Sequence, residues 1–421
     1  MLSLVNPMSR TETKHAFRDD GQQTIFALRR ALTVVYDAVG ANPAEPQEVS
    51  RRFGLDKMLT WRLSRLVCDE DIWEAMSHMP RRPSLQIFCT AMQRAGVTKQ
   101  LIADVTNAYN AFEHFVDAHA GDRGVLEIMA SGATRKPAAK RLEQFRREGY
   151  LANAAIWGVS AATHIAFRAM YPSLDKPGFV DLLTIVGLVD FKRLRSNVSW
   201  AAGGHKRWRT SLEGAALRVP EIRAIDKTIR PGEVPLLKEF CSQPLPEMHM
   251  RQDDPDNDFF MINPGPVGNT AAATVLLGWV DPVSVPIYGD FPNDTGEHGS
   301  RISTPAELFI HDLFIHESLT FAHDVQSLVF GQLPGGPRYP HGATDDTALP
   351  LGNEMIDLGA SSPSMHTPEV PHYERMLRSA LASVNLKPEE FRGFRTKLRY
   401  PPIPSMCILR HPLLDPPGKQ P

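Results

Sequence analysis

The stretch "EVSRRFGLDKMLTWRLSRL", residues 48–66, has the pattern of two short helices that meet at a glycine. Gly54 can adopt the left-handed conformation that a tight turn between helices needs, and Asp56 can cap the second helix. Val49 and Leu63 stand where apolar side chains would pack the two helices against each other. The stretch therefore predicts a helix-turn-helix pair.

Over residues 46–67, this pattern resembles the helix-turn-helix of bacterial transcriptional regulators of the IclR and MarR type. The resemblance implies that the second helix enters the major groove of double-stranded DNA. Arg62 would then read bases, because a guanidinium can bind O6 and N7 of guanine, while neighbouring basic residues would hold phosphates. The DNA-contacting residues that the resemblance implies are Arg51, Arg52, Lys57, Trp61, Arg62 and Arg65.

A second interpretation of the same stretch stays open, because a fold does not by itself specify a function. The two helices could belong to a helical bundle, with Trp61 buried against a neighbouring helix and the arginines in solvent. In that case the pair would serve structure or assembly through protein contact. The exposure of Trp61 separates the two interpretations.

Composition limits the classes of function. The chain has 421 residues, of which 42% are hydrophobic, which is enough for two or three domains with their own cores. The net charge of −2 argues against a protein that coats nucleic acid. Residues 51–65, however, carry five basic side chains and one acidic side chain, 5 − 1 = +4. The positive charge is therefore concentrated at the predicted helix-turn-helix.

The apolar runs and the cysteines of the sequence predict the compartment of the protein. The N-terminal residues contain no apolar stretch of the length that a secretory signal needs, and the apolar run 271–280 is too short to cross a bilayer. The four cysteines are widely spaced and form no CxxC motif. We expect a cytoplasmic protein with no membrane association, no disulfide framework and no zinc site built from cysteine pairs.

Hydrophobic spacing predicts the elements along the chain. Residues 24–39 place apolar side chains three and four positions apart, which is typical of an amphipathic helix. Residues 156–171 could also be helical, whereas residues 179–194 mix β-branched runs with glycine and fit a helix or a strand equally well. From about residue 235 onward, short apolar runs separated by proline and glycine indicate strands.

The expected fold class is an α+β multidomain protein. An all-helical N-terminal domain with the helix-turn-helix-like pair would be followed by a mixed or β-rich C-terminal region. The expected divisions are a flexible N-terminal tail 1–20, a helical domain 21–132, a basic linker or helix 133–150, a mixed α/β segment 151–234, and a β-rich α+β domain 235–421 with a mobile loop 331–372.

The remaining candidate for chemistry is the histidine-rich and aspartate-rich segment "HDLFIHESLTFAHD", residues 311–324. His316 and His323 are seven residues apart and would align on a helix, so they are weak candidates for metal ligands. The alternative function is therefore a hydrolytic or metal-dependent enzyme that uses this segment. No catalytic motif supports it, and no cofactor is expected.

The leading hypothesis is a DNA-binding, transcription-regulator-like protein. Its C-terminal region would sense an unknown ligand or bind a protein partner, and a homodimer would suit the resemblance.

Overall fold

The computed structural model describes residues 10–133, 139–206, 208–210, 216–218, 221–252, 257–331, 348–352 and 355–417. The chain forms two compact units, Met1–Ala139 and Lys140–Pro421. Much of the predicted mobile loop 331–372 lies outside the described residues, as do residues 1–9 of the predicted tail.

The first unit is built from helices around one apolar core. Helix α1, Arg10–Ala38, contains all but the last residue of the predicted helix 24–39, and its Ile25, Leu28 and Leu32 are fully buried. It packs along α6, Lys99–His119, and its Tyr36 lies against Phe88 with the ring centroids 5.4 Å apart. The helices of this unit are α1 Arg10–Ala38, α2 Pro46–Phe53, α3 Lys57–Cys68, α4 Ile72–Met76, α5 Arg82–Arg94, α6 Lys99–His119 and α7 Arg123–Ala133.

The second unit is mainly β-structure. Its helices are α8 Ala139–Trp157 and α9 Tyr373–Ser383. Its strands are β1 Val159–Pro172, β2 Phe179–Arg193, β3 Trp200–Lys206, β4 Trp208–Thr210, β5 Ala216–Arg218, β6 Arg223–Ala224, β7 Met248–Arg251, β8 Asn257–Ile262, β9 Ala273–Pro286, β10 Thr295–Ile302, β11 Ala306–His316, β12 Gln326–Gly331, β13 Met355–Gly359, β14 Phe391–Arg399 and β15 Ser405–Pro412.

A seven-stranded sheet in the order β13-β14-β11-β1-β2-β9-β6 organises this unit. Strands β1 and β11 pair in parallel, and the other neighbours pair antiparallel. One face of the sheet packs on α9 through a core that includes Phe167, Ile185 and Leu377. The opposite face meets two three-stranded sheets, β10-β15-β12 and β3-β8-β7. The seven-stranded sheet is therefore covered on both sides.

The predicted fold class is wrong. The sequence led us to expect a mixed α/β segment and then a separate β-rich α+β domain, but strands from both ranges, between residues 159 and 399, form one sheet. Residues 156–171, which could have been helical, contain β1. Nearly all residues of β1 and β2 are buried, because the sheet is covered on both faces. Such strands lack the alternation that identifies a half-exposed strand.

Within the described ranges, no helix has both the length and the apolar character needed to cross a bilayer.

Candidate functional site

The turn between α2 and α3 has the local geometry that the sequence predicts. Gly54 follows α2 with φ 64° and ψ 32°, in the left-handed region. The buried Ser50 hydroxyl donates to the Leu55 carbonyl at 2.7 Å and ties the turn back to α2. Asp56 then caps α3, because its Oδ1 accepts from the Met58 amide at 2.9 Å and from the Leu59 amide at 3.0 Å. The direction of α3 is therefore fixed at its first turn.

Helix α3 has one buried side and one exposed side. Leu59, Leu63 and Leu66 are buried in the core of the first unit. Thr60 is also buried, at 1% exposure, and its hydroxyl lies 3.1 Å from the Lys57 carbonyl that it can donate to. A threonine is therefore tolerated in this core, because its hydroxyl is satisfied within its own helix. The exposed side, which we name the α3 face, consists of Lys57, Met58, Trp61, Arg62 and Arg65.

Trp61 is not a core residue. Its side chain is 42% exposed, and its ring meets His78 edge-on with the centroids 5.0 Å apart. The Arg65 guanidinium lies 5.9 Å from the centroid of the Trp61 ring and 3.8 Å from Asp69 Oδ2. Burial, together with the charge of Arg65, lowers the pKa of His78. A large aromatic ring is thus presented to solvent beside fixed positive charge.

The structure does not bring all six predicted DNA-contacting residues together. Lys57, Trp61, Arg62 and Arg65 share the α3 face. Arg52 instead donates to the carbonyls of Val39 at 2.6 Å and Gly40 at 3.0 Å, where α1 ends. Its guanidinium therefore holds the end of α1.

Arg51, the remaining predicted residue, lies on α2 and is exposed. Its Nε lies 3.4 Å from the Gln47 carbonyl, one turn earlier in the same helix. This local contact leaves the side chain at the surface of the helix pair.

A second candidate site, which the sequence did not reveal, is a cavity of about 580 Å³ inside the second unit. It lies between the seven-stranded sheet and strands from both three-stranded sheets. Its volume falls within the usual range for pockets that hold small molecules. Its wall includes β1, β2, β3, β9 and β10.

Polar side chains cross the sheet face beneath this cavity. Arg168 of β1 is paired with Thr184 of the neighbouring β2, and both residues line the cavity together with Asp281 of β9. Arg168 Nη1 lies 2.8 Å from Nε2 of the fully buried His311, and Arg168 Nη2 donates to the Gly299 carbonyl at 2.8 Å. A row of polar groups on a core-facing sheet surface is costly, so it points to a functional role.

Asp281 is held in one orientation. Its Oδ2 accepts from Thr184 Oγ1 at 3.0 Å and from Trp279 Nε1 at 2.9 Å. Its Oδ1 lies 3.1 Å from His205 Nε2, and both side chains are largely buried. The carboxylate therefore orients the His205 imidazole on the cavity wall.

Three further histidines are neutral: His164 and His298 line the cavity, and His311 lies beside Arg168. Burial lowers the pKa of His164 to about 4, and its Nδ1 has no hydrogen-bond partner within the described part of the protein. Burial also holds the pKa values of His298 and His311 well below the ordinary value, and the charge of Arg168 lowers both of them further. Positive potential from Arg168 therefore reaches across the cavity wall.

Within residues 311–324, strand β11 separates His311, which lies beside Arg168, from Asp312, which points to the opposite face. Asp312 accepts from Arg395 Nε at 2.8 Å, Arg395 Nη2 at 2.7 Å and the Tyr373 hydroxyl at 2.9 Å. Asp312 is thus part of a buried structural ion pair.

The weak metal candidates lie near the end of β11 and beyond it. His316 Nδ1 lies 2.8 Å from the Ser318 hydroxyl, and His323 follows a short 3-10 turn instead of lying on a shared helix with His316. In the ranges that the structure describes, no three His, Cys, Asp or Glu side chains group as metal ligands would.

One sequence signal could have located the cavity. His164 and Arg168 stand in a strand whose other side chains are mostly apolar, and their spacing of four residues puts them on the same face of the sheet. The partners of this pair, on β3, β9 and β10, are distant in sequence, and their proximity depends on the order of the strands.

Comparison with known proteins places the chain in no family. No family model matches it, and no curated protein matches it. Among solved structures, it is similar to a crystal structure described as that of "a putative protease" from Parabacteroides distasonis, with 7% sequence identity and a TM-score of 0.23. The match covers 60% of this chain and 40% of that chain. At this level the likeness carries no argument about fold or function.

Proposed function

We propose that the chain is a DNA-binding, transcription-regulator-like protein in which the α3 face contacts double-stranded DNA and the second unit binds a small effector. The observation that supports this most directly is the exposure of Trp61, Arg62 and Arg65 on one side of a capped helix that follows a left-handed turn. Leu59, Leu63 and Leu66 already anchor the buried side of α3 in the core of this unit, so the exposed aromatic ring is not needed to complete that core.

The chemistry of the α3 face suits a major groove. Arg62 can donate two hydrogen bonds to guanine, and each well-formed pair of this kind contributes roughly 1–3 kcal/mol of discrimination. Met58 and Trp61 offer apolar surface that can contact thymine methyl groups. Lys57 and Arg65 are positioned beside them to hold phosphates, which orients the helix without specifying sequence. In this proposal Arg52 has no DNA contact, because it binds the end of α1.

The sequence preference of the full chain tests the proposal. A binding site would first be selected from a random-sequence DNA pool, and affinity would be followed by fluorescence anisotropy on the selected site and on a scrambled one. We expect Arg62→Ala to weaken binding to the selected site by about 1–3 kcal/mol and to leave scrambled DNA nearly unaffected. Arg51→Ala should weaken binding to both DNAs alike, because a phosphate contact carries no sequence information.

Arg94→Ala is the matched control, because Arg94 is an exposed arginine on α5, outside the α3 face. It should bind both DNAs as the wild type does. Wild-type protein that selects no site from the pool would overturn the proposal. In that case the α3 face would be better explained as a surface for protein contact.

A further inference from the structure

The cavity of the second unit has walls of two kinds. One part is apolar and includes Leu182, Val186, Phe259 and Trp279. The other part carries the polar row of Arg168, Thr184 and Asp281 together with three histidines, His164, His205 and His298. A pocket with a broad apolar surface and a few convergent polar groups is typical of a site for a small organic molecule.

Among the described residues of the wall, the two carboxylates, Asp281 and Glu297, already have partners. Glu297 Oε1 lies 2.9 Å from both Arg410 Nε and Arg410 Nη2, in a pair that is largely buried. Asp281 faces His205 through one oxygen and accepts from Thr184 and Trp279 through the other. Neither carboxylate is therefore well placed to bind a cationic ligand.

The positive groups of the cavity favour an anionic ligand instead. The guanidinium of Arg168 is fixed by the His311 ring and the Gly299 carbonyl, and its charge acts on both His298 and His311. Arg301 and Lys206 add positive charge where the wall reaches the surface. His164, whose Nδ1 has no partner within the described residues, supplies a neutral ring to the same wall.

We propose that this cavity binds a small organic carboxylate with an apolar body, its carboxylate near Arg168 and its body against Trp279 and Phe259. The binding site rests on the second unit alone. Only the role of the ligand as an effector of DNA binding rests on the proposed function.

Pairs of probes that differ in charge alone test this on the wild-type full chain without DNA. The carboxylates are benzoate, phenylacetate and hexanoate, and their uncharged counterparts are benzamide, phenylacetamide and hexanamide. We expect at least one carboxylate to bind in isothermal titration calorimetry and to raise the melting temperature at millimolar concentration, because a ligand that binds only the native state stabilises it. Its amide should bind at least tenfold more weakly.

Variants then locate the binding. Arg168→Met should weaken carboxylate binding at least tenfold, and Arg168→Lys should restore part of it. Arg399→Met is the matched control, because Arg399 is exposed on β14 and does not line the cavity. This control should bind as the wild type does.

Two results would overturn the inference: amides that bind as well as the carboxylates, or no binding of any carboxylate. If Arg168→Met fails to fold, the comparison of carboxylate with amide on the wild type decides alone. If the chain binds no DNA but binds benzoate and not benzamide, the proposed function is wrong and the inferred carboxylate site stands.

Discussion

The buried histidine His164 makes the stability of the second unit depend on pH in a direction that the structure fixes. Its side chain is 6% exposed, it meets Phe309 edge-on with the ring centroids 5.2 Å apart, and burial lowers its pKa to about 4 from an ordinary value of 6.5. Above pH 6.5 the ring is neutral in the native and in the unfolded chain. Between these two values the unfolded chain binds a proton that the native chain does not, so native stability falls as the pH falls.

The size of this effect follows from the pKa difference. A shift from 6.5 to about 4 is roughly 2.5 units, and each unit corresponds to about 1.4 kcal/mol. His164 should therefore remove about 3 kcal/mol from the free energy of unfolding as the pH falls from 6.5 to about 4. His298 and His311 act in the same direction, because their pKa values are also lowered by burial.

Urea unfolding of the wild type and of His164→Phe across this pH range measures the effect. The phenylalanine keeps an aromatic ring beside Phe309 and removes the titration. We expect the variant to lose about 3 kcal/mol less than the wild type over the range. His366→Phe, at an exposed position, should follow the wild-type curve. Equal pH dependence in the wild type and in His164→Phe would refute the reasoning.

Three further predictions concern stability. Asp312→Asn should lower the free energy of unfolding by about 3–5 kcal/mol, because it leaves the buried Arg395 charge without its carboxylate. Chemical denaturation measures this, and a loss below about 1 kcal/mol would contradict it. Gly54→Ala should lower the free energy of unfolding by about 1–2 kcal/mol, because alanine is strained in the left-handed backbone conformation of Gly54. A lower melting temperature would show this, and an unchanged melting temperature would argue against that conformation. Arg52→Ala should lower the free energy of unfolding by about 1–3 kcal/mol, because the Val39 and Gly40 carbonyls lose their donor. DNA affinity, measured by anisotropy, should not change. A loss of affinity without a loss of stability would instead assign Arg52 to the DNA surface.

The sequence was sufficient to predict the local features of the first unit. The glycine turn and the Asp56 cap depend on neighbouring residues, and so does the apolar stripe of α1. Each of these signals lies within a few positions of the element that it specifies. Such features are therefore visible without knowledge of the tertiary fold.

The second unit could not be predicted in the same way. Strands β1 and β2 are buried on both faces, so both faces carry apolar side chains and their sequences lack the regular alternation of a half-exposed strand. The cavity joins His205, Asp281 and Arg168, which are far apart in sequence. Only the strand order of the seven-stranded sheet and its two covering sheets brings them together, and no local pattern encodes that order.

The surroundings of single charged residues were also not predictable from composition. Arg52 and Arg62 are equivalent in the charge count of residues 51–65, yet Arg52 binds the end of α1 and Arg62 lies on the α3 face. Asp312 stands in a histidine-rich segment but points to the opposite side of its strand from His311. Packing decides which of these groups faces solvent.

The salt dependence of DNA binding tests most directly whether the α3 face contacts DNA. The binding constant of the wild type, measured by anisotropy over a range of salt concentrations, should fall with a log–log slope of roughly −3 per subunit, because each phosphate contact releases counterions. The triple variant Arg51→Ala, Lys57→Ala and Arg65→Ala should bring the slope close to zero. A triple variant that keeps the wild-type slope and affinity would contradict the account, and so would a wild type that binds no DNA at low salt.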